Sequence, residues 1–442
     1  CKLINPKDKD HLNNLLINTI YYIRTLQGDF VHAPRCRRFC EIMYLEKKIF
    51  QHSVIIYILY LFTSECTGDK SILHNTVGSA LKLLKSSKEN EDISLNITQL
   101  ITKNNYHVEE YTVVTPDGYK LRIFRIPGNG SIIFLMHGLL SSTDEWFTSG
   151  VKSGLGYLLA EQGYDVWMGN ARGHKYSRSN VRKSPSEKDF WDFSFHEIGV
   201  IDLPTMIDFI LKKTNKSSLI YIGHSQSTST FFAMSSIRPE YNAKIDLMIA
   251  LSPIAWMSHL KSPLLNYLKP YYATLELVAT SLGIHEVFQD TPILRLFQKT
   301  FCGGVLTSLL ICQNALYSIV VIFNHFPSGA STKKLWHYAQ LINSGYFRQY
   351  DYGLKNVAKY GTLSPPSYPV EKITAPVAIF YGDGDWLSDV SDAKILKCYL
   401  PKLVDFYRVK DKNFNHYDFI SAKDSKQLVL PNILRLIKSI PY

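Results

Sequence analysis

Short apolar runs alternate along the chain with amphipathic helical stretches, and this alternation limits the possible folds more than any other feature. Seven runs have the length and apolar content of strands, and five other stretches have helical periodicity. The runs are 119–126, 131–138, 164–170, 218–225, 246–253, 376–385 and 404–410; the helical stretches are 150–162, 196–213, 226–238, 389–399 and 423–439. The alternation predicts an α/β fold with a mostly parallel sheet flanked by helices, and we expect 119–126 to be an edge strand.

The alternation is interrupted once, between residues 254 and 368. This stretch has only helical and loop patterns and is rich in Leu, Ile, Phe and Tyr. We therefore expect a helical cap or lid insertion at 254–368, placed over the carboxyl ends of the strands. Residues 96–253 and 369–442 would form the two parts of the core. The insertion could line an apolar pocket, or it could bury only its own core.

Residues 43–68 have the pattern of a targeting segment, and a polar segment precedes them. The chain starts at Cys1, and residues 1–42 are polar and mixed in charge. From Met43, two lysines precede nine apolar residues at 54–62, and small polar residues follow. This order is typical of a signal peptide, which we place at 43–66, although a buried strand or short helix is the alternative. Residues 1–42 would be an upstream segment outside any domain, and the mature protein would be secreted or lysosomal/lumenal.

Charge and cysteine content limit the partners. The net charge is +11, but no Lys/Arg block has interleaved aromatic residues, so we expect no nucleic-acid partner. No cysteine or histidine cluster has metal-ligand spacing, so no metal or other cofactor is expected. No stretch reaches about 18 apolar residues, so no transmembrane span is expected. Glycosylation triplets at Asn96, Asn129 and Asn215 agree with a secretory route.

The stretch "IYIGHSQSTS", residues 220–229, places Ser225 between a strand run and a helical run. A G-x-S-x-G turn between strand and helix exposes a nucleophilic serine above the sheet, and small neighbours are needed because strand and helix nearly collide there. Here Ser227 replaces the second glycine, a departure that adds a little volume. An ordinary polar turn is the alternative interpretation of this stretch alone.

Two later loops supply a carboxylate and a histidine in the order that α/β-hydrolases use, Ser then acid then His. The stretch "IFYGDGDWLSD" contains Asp383, Asp385 and Asp389 where a buried run ends. We predict Asp385 as the acid because the preceding glycine can turn the chain, with Asp383 as the rival. His416, in "KNFNHYDF", is the one histidine that follows these acids, and we predict it as the base.

An oxyanion hole is expected where the run "FLMHGLLSS" ends. One backbone N–H would come from Leu139, and the other from Gln226 at the start of the helix that follows the nucleophile. We expect His137 and His224 to support these loops and not to act as the base, since a residue adjacent to the serine cannot easily reach its hydroxyl.

From about residue 96 to 440 the chain resembles the acid lipases, which include gastric, lysosomal and insect lipases. The resemblance lies in "HGLLSSTDEW", "GNARGHKYSR", "GHSQ", "HYAQLINSGYFRQYDYG", "DWLSD" and "FNHYDF". It implies an α/β-hydrolase fold with a helical cap and no metal. Position by position it implies Ser225, Asp385 and His416 as the triad, with Leu139 and Gln226 as oxyanion donors.

Three cysteines remain after the signal. Cys302 and Cys312 are close in sequence, and both the oxidising compartment and the resemblance imply a disulfide between them. Cys398 is expected to remain a buried thiol.

These features predict a secreted serine ester hydrolase, a lipase that cleaves esters of neutral lipids such as triacylglycerol. Its partners would be the lipid ester and, transiently, a lipid droplet, micelle or membrane surface. Two alternatives remain open. One is a catalytically impaired lipid carrier of the same fold, suggested by Ser227; the other is a carboxylesterase for short soluble esters.

Overall fold

A computed structural model of the chain describes residue 92 and residues 95–287 and 325–440. Its main feature is an eight-stranded sheet in the order β1-β2-β4-β3-β5-β6-β9-β10. The strands are β1 (Glu109–Val114), β2 (Lys120–Ile126), β3 (Ile132–Met136), β4 (Asp165–Gly169), β5 (Leu219–His224), β6 (Ile245–Leu251), β9 (Val377–Tyr381) and β10 (Leu403–Arg408). From β4 to β10 every neighbouring pair is parallel, whereas β1–β2 and β2–β4 are antiparallel. The predicted α/β fold with a mostly parallel sheet is confirmed.

One expectation about the sheet edge was wrong. Residues 119–126 were expected to be an edge strand, but β2 pairs on both sides, and β1 is the edge. The side chains of β1 are mostly solvent-exposed or half-buried, as the edge position allows, so its sequence lacks a strong apolar run. The turn "TPDG" after β1, with Gly118 at φ +92°, is the sequence signal that identifies the hairpin.

The helices lie between the strands as the alternation predicts, with some shorter than expected. They are α1 (Ile97–Lys103), α2 (Leu155–Glu161), α3 (Phe195–Glu197), α4 (Leu203–Thr214), α5 (Gln226–Ile237), α6 (Pro263–Leu268), α7 (Tyr272–Ser281), α8 (Thr332–Ser344), α9 (Asn356–Tyr360), α10 (Val390–Tyr399), α11 (Asp418–Ser421), α12 (Ser425–Leu428) and α13 (Leu430–Lys438). A π-helical turn, Ile198–Asp202, joins α3 to α4, and short 3-10 turns include Thr143–Trp146 and Pro239–Lys244.

The core has one layer on each face of the sheet. Every residue of β3, β4, β5 and β9 is buried, as expected for strands covered on both sides. Along β3, Phe134 packs with α4 and α5 on one face, whereas Ile133 and Leu135 pack with α1, α2 and α13 on the other. The strands are therefore held rigidly, and their carboxyl ends meet at one edge.

The insertion was expected to contain helices and loops only, and this was wrong at one point. Two short strands, β7 (Glu286–Val287) and β8 (Ala330–Ser331), pair antiparallel there. Two-residue strands are too short to give a period-two pattern. Helix α8 follows β8 and packs on the core through Tyr338 and Leu341. Residues 273–283, most of α7 and a turn, belong to a second compact unit.

Several predicted features lie outside the described residues. These are the upstream segment 1–42, the signal peptide 43–66, and the cysteines Cys302 and Cys312. The three asparagines of the glycosylation triplets are exposed. Within the described ranges, no helix is both long and apolar enough to cross a membrane.

Cys398 is exposed, contrary to the expectation of a buried thiol. It lies in the last turn of α10, two residues after the buried Leu396. Two residues along a helix correspond to about 200° of rotation, so the thiol lies on the opposite face of α10 from the core.

Candidate active site

The predicted nucleophile lies at a sharp turn between a strand and a helix. β5 ends at His224, α5 begins at Gln226, and Ser225 between them has φ 55° and ψ −118°. A non-glycine residue with positive φ in this region is strained, and such strain persists only where the surroundings enforce it. The turn places Ser225 at the carboxyl end of the central strand, with 8% of its surface exposed.

Ser227, which replaces the usual elbow glycine, forms two hydrogen bonds in addition to its packing contacts. Its Oγ lies 2.6 Å from the carbonyl oxygen of Met136 and 2.8 Å from that of His224. It fits because Gly223 faces it: a Cβ on Gly223 would lie only 2.9 Å from the Ser227 hydroxyl. The departure from the glycine pattern thus leaves the strand–turn–helix geometry in place.

The predicted base and acid lie in line with the serine. His416 Nε2 is 2.7 Å from Ser225 Oγ, and His416 Nδ1 is 3.1 and 3.0 Å from the two carboxylate oxygens of Asp385. Asp385 follows β9 and His416 follows β10, so parallel strands bring their carboxyl ends to the same edge as Ser225. The structure therefore brings together three residues separated by up to 191 positions.

Asp385 is held as a carboxylate. It is 1% exposed, and its Oδ1 accepts hydrogen bonds from the backbone N–H groups of Leu387 (2.9 Å) and Ser388 (2.8 Å). The Ser252 hydroxyl donates to Oδ2. Burial by itself would raise the pKa of Asp385, but the adjacent His416 and these hydrogen bonds outweigh it, and the pKa is lowered.

The other two aspartates of the same loop make different contacts. Asp383 forms an ion pair with Arg408 at the surface. Asp389 caps the N-terminus of α10 and lies 2.6 Å from the Lys261 ammonium group. Within the described residues, neither is hydrogen-bonded to His416, so the geometry favours Asp385 over its rival.

The loop after β3 approaches the elbow closely. A Cβ on Gly138 would lie 3.1 Å from His224 Nδ1 and 3.4 Å from the Ser225 Cβ, so a larger residue here would have to displace the His224 ring by a few tenths of an ångström. Leu139 is the next residue, and Gln226 is the first residue of α5. Among the described residues, the backbone N–H groups of Leu139 and Gln226 donate to no other protein group. Both donors thus remain available beside the serine.

His137 and His224 support these loops, as expected. His137 Nε2 accepts from the Ala171 backbone N–H at 3.2 Å, and Nδ1 lies 2.8 Å from the Gly138 carbonyl oxygen. Burial lowers the pKa of His137 to about 4, so it is neutral near pH 7. His224 Nε2 lies 2.9 Å from the His416 carbonyl oxygen and fixes the loop that carries the base.

Glu145 links these parts and was not identified from the sequence. Its carboxylate accepts from the Gly138 backbone N–H at 3.1 and 3.2 Å and lies 3.6 Å from His224 Nδ1. Burial would lower the pKa of His224, but the Glu145 carboxylate outweighs burial and raises it. One buried carboxylate therefore connects the predicted oxyanion loop to the elbow. The quoted "STDEW" contains Glu145, but nothing in its spacing indicates this role.

A second buried group reaches the oxyanion loop from the insertion. Lys334 of α8 is fully buried, and its Nζ lies 2.9 Å from His174 Nε2. The His174 ring packs edge-on against that of His137, with ring centroids 4.5 Å apart. Burial lowers the pKa of Lys334 to about 7, and Asp202 offsets this only in part. No group of three or more potential metal ligands occurs within the described ranges.

The chain is similar to known lipases over most of its length. A family model described as a partial alpha/beta-hydrolase lipase region matches residues 97–150, and one described as alpha/beta hydrolase fold matches 131–281. Gastric triacylglycerol lipase of Mus musculus is 37% identical over 80% of this chain and 94% of its own length. The Homo sapiens counterpart is 36% identical over 83% and 96%. Lipase 1 of Drosophila melanogaster is 36% identical over 79% and 81%.

Proposed function

The chain belongs to the acid lipase family of carboxylic ester hydrolases, and from this premise we propose that Ser225, His416 and Asp385 are its catalytic triad. The observation that carries the proposal is the pair of contacts made by His416. Its Nε2 lies 2.7 Å from Ser225 Oγ, and its Nδ1 faces the buried Asp385 carboxylate. This arrangement supports proton transfer from the serine with no movement of the protein.

In the proposed reaction, Ser225 Oγ attacks the ester carbonyl carbon while His416 Nε2 takes the hydroxyl proton. The carbonyl oxygen becomes an oxyanion, which the Leu139 and Gln226 N–H groups stabilise; removal of one such donor typically costs about 10²- to 10³-fold in kcat. His416 then gives its proton to the departing alcohol, which leaves an acyl-enzyme. Water, activated by the same histidine, releases the fatty acid and restores the serine. Asp385 orients His416 throughout.

We propose neutral lipid esters, triacylglycerol first, as the substrates. The mouse and human relatives are gastric triacylglycerol lipases. The apolar, aromatic insertion at 254–368 supports the same substrate class, because long acyl chains need an apolar surface. Such substrates aggregate in water, so transient contact with a lipid droplet, micelle or membrane surface is part of the proposal. The core would comprise 96–253 and 369–442, with 254–368 as cap.

Secretory processing is also proposed. It comprises removal of the signal peptide at 43–66, delivery outside the cell or to lysosomes, glycan on at least one of Asn96, Asn129 and Asn215, and a Cys302–Cys312 disulfide. The exposure of the three asparagines supports the glycan assignment. N-terminal sequencing, glycosidase digestion and non-reducing peptide mapping of secreted protein test these features separately. A mature N-terminus at Cys1 would contradict the signal-peptide assignment.

A fluorophosphonate probe and a substrate panel test the function. The probe should label Ser225, and Ser225→Ala should abolish labelling and hydrolysis. Ser236→Ala is the matched control, because it removes a buried hydroxyl of α5 whose one hydrogen bond within the described ranges goes to the Ala233 carbonyl. The panel comprises emulsified triolein, cholesteryl oleate and a short soluble ester. Preference for the short ester would favour the carboxylesterase alternative, and a folded protein that resists labelling would favour the carrier.

A further inference from the structure

Ser252 occupies a central place beside the proposed triad. It directly follows β6, the strand between β5, which leads to Ser225, and β9, which leads to Asp385. The residue is fully buried, and its backbone N–H donates to the Phe380 carbonyl oxygen at 2.9 Å. Its φ of +54° places it in the left-handed region, where a serine is uncommon. The backbone thus places the Ser252 side chain at the end of β6, between the ends of the two neighbouring strands that lead to Ser225 and Asp385.

The Ser252 hydroxyl contacts both His416 and Asp385, the two residues proposed to activate the nucleophile. Its Oγ lies 2.7 Å from His416 Nδ1, closer than either carboxylate oxygen of Asp385, and it also donates to Asp385 Oδ2. A hydroxyl has one proton to donate and two lone pairs to accept with. Because Asp385 can only accept, the hydroxyl proton goes to the carboxylate, and a lone pair faces the His416 Nδ1–H. The same assignment leaves Nε2 free to accept from Ser225.

We propose that Ser252 is a positioning residue that shares the His416 Nδ1–H with Asp385 and thereby sets the lower pH limit of the reaction. This inference rests on the proposed function of the triad. The hydroxyl fixes the ring plane of His416 through a third contact. By donating to the Asp385 carboxylate, the hydroxyl also withdraws part of its negative charge. The His416 imidazolium then shares its Nδ1–H between this weakened carboxylate and a neutral hydroxyl oxygen. The charge distribution around the ring therefore extends the reaction to lower pH.

Other titratable groups face His416 from the elements around it. His224 lies beside it, with ring centroids 5.1 Å apart, and the Glu145 carboxylate lies behind His224. Tyr417 packs edge-on against His416; although 38% of its surface is exposed, partial removal of its hydroxyl from water raises its pKa, so it stays neutral. Burial raises the pKa of Asp418, the first residue of α11, to about 6. The parent and the Ser252 variants share all four groups, so a difference between their pH profiles reports on Ser252.

The experiment compares Ser252→Ala, Ser252→Gly and the control Ser236→Ala. For each protein, kcat/KM is measured from pH 4 to 9 on a short soluble ester, so that lipid-surface binding does not enter. We expect Ser252→Ala to lower kcat/KM about tenfold at the pH optimum, as for loss of a hydrogen bond to a charged group. The acidic limb should also move to higher pH. Ser252→Gly also lacks the hydroxyl but relieves the positive φ, so it should show the same shift even if Ser252→Ala folds poorly.

The outcomes separate positioning from packing. If kcat/KM falls in both variants but the pH profile is unchanged, the role of Ser252 is only structural and the proposal is overturned. Unchanged kcat/KM values would also overturn it. A shift of the acidic limb to lower pH would also overturn it. The triad itself is tested by fluorophosphonate labelling of the parent and by Ser225→Ala. If the parent is not labelled at Ser225, the proposed function fails and the role of Ser252 fails with it; if it is labelled, the pH profiles decide Ser252 alone.

Discussion

Lys334→Met should stabilise the protein near neutral pH, although it removes a hydrogen bond between the Lys334 amino group and His174. The Lys334 ammonium is fully buried, and its only hydrogen bond in the described ranges goes to neutral His174. Its pKa moves from the ordinary 10.5 to about 7, which at 1.36 kcal/mol per pH unit corresponds to a penalty of about 5 kcal/mol. Methionine has a similar length but leaves the buried His174 acceptor unpaired, which costs about 1–3 kcal/mol. The net gain is about 2–4 kcal/mol.

The gain should depend on pH in a defined direction. Between pH 7 and 10.5 the unfolded chain holds the Lys334 proton and the native protein does not, so the stability of the parent rises with pH. Below about pH 7 both states are protonated, and the penalty is fully present and constant. Above about pH 10.5 both states are neutral, and the penalty disappears. The advantage of Lys334→Met should therefore be largest at pH 6–7 and shrink to near zero by about pH 9.5.

Urea unfolding followed by tryptophan fluorescence at pH 6.5 and 9.5 measures this difference. Lys333→Met is the matched control, because the neighbouring lysine is paired with Asp192 at 2.6 Å and the pKa of Lys333 is raised. The control should be less stable than the parent at pH 6.5. The reasoning is refuted if Lys334→Met destabilises the protein at pH 6.5, or if its effect is equal at the two pH values.

Three further predictions test separate contacts of the site. Asp385→Asn should lower kcat about 10⁴-fold, because the amide holds His416 in the wrong tautomer, whereas Asp383→Asn should have little effect; the reverse order in steady-state kinetics would contradict the assignment. Ser227→Ala should lower the free energy of unfolding by about 1 kcal/mol and keep kcat/KM within several-fold, whereas Ser227→Leu should displace the elbow and cost about 10²-fold; equal kinetics for both would contradict this. Glu145→Gln should lower the free energy of unfolding most below pH 6.5, where the stabilisation from the raised pKa of His224 is fully present. This loss of stability should fade as the pH rises through the pKa of His224. A loss that grows with pH in urea unfolding would argue against an interaction between Glu145 and His224.

The parts of the site that sequence identifies are those with a local signature. The strand–GHS–helix stretch and the order of acid and histidine predict where Ser225, Asp385 and His416 lie, since each follows a strand of one parallel sheet. The apolar runs predict the central strands because these are buried on both faces. Local patterns failed where burial is partial, as at the edge strand β1 and at Cys398.

The residues that sequence analysis missed act through distant partners. Ser252 meets Asp385 from 133 positions away and His416 from 164 positions away. Lys334 meets His174 across 160 positions. A serine after a strand and a lysine on an amphipathic helix are ordinary in composition, so only the folded arrangement reveals their contacts. The spacing of residues along the chain does not predict which of these distant side chains come into contact.

The order of the triad along the chain also has a consequence for biosynthesis. The nucleophile is translated 191 positions before its base, and β9 and β10 must both join the sheet before acid and histidine reach it. At about 5–20 residues per second, a ribosome needs roughly 10–40 s to add that length. Throughout this interval the serine is present but has no base to activate it. A nascent or prematurely terminated chain therefore cannot cleave the neutral lipid esters proposed as substrates, and the fold delays activity until His416 has been synthesised.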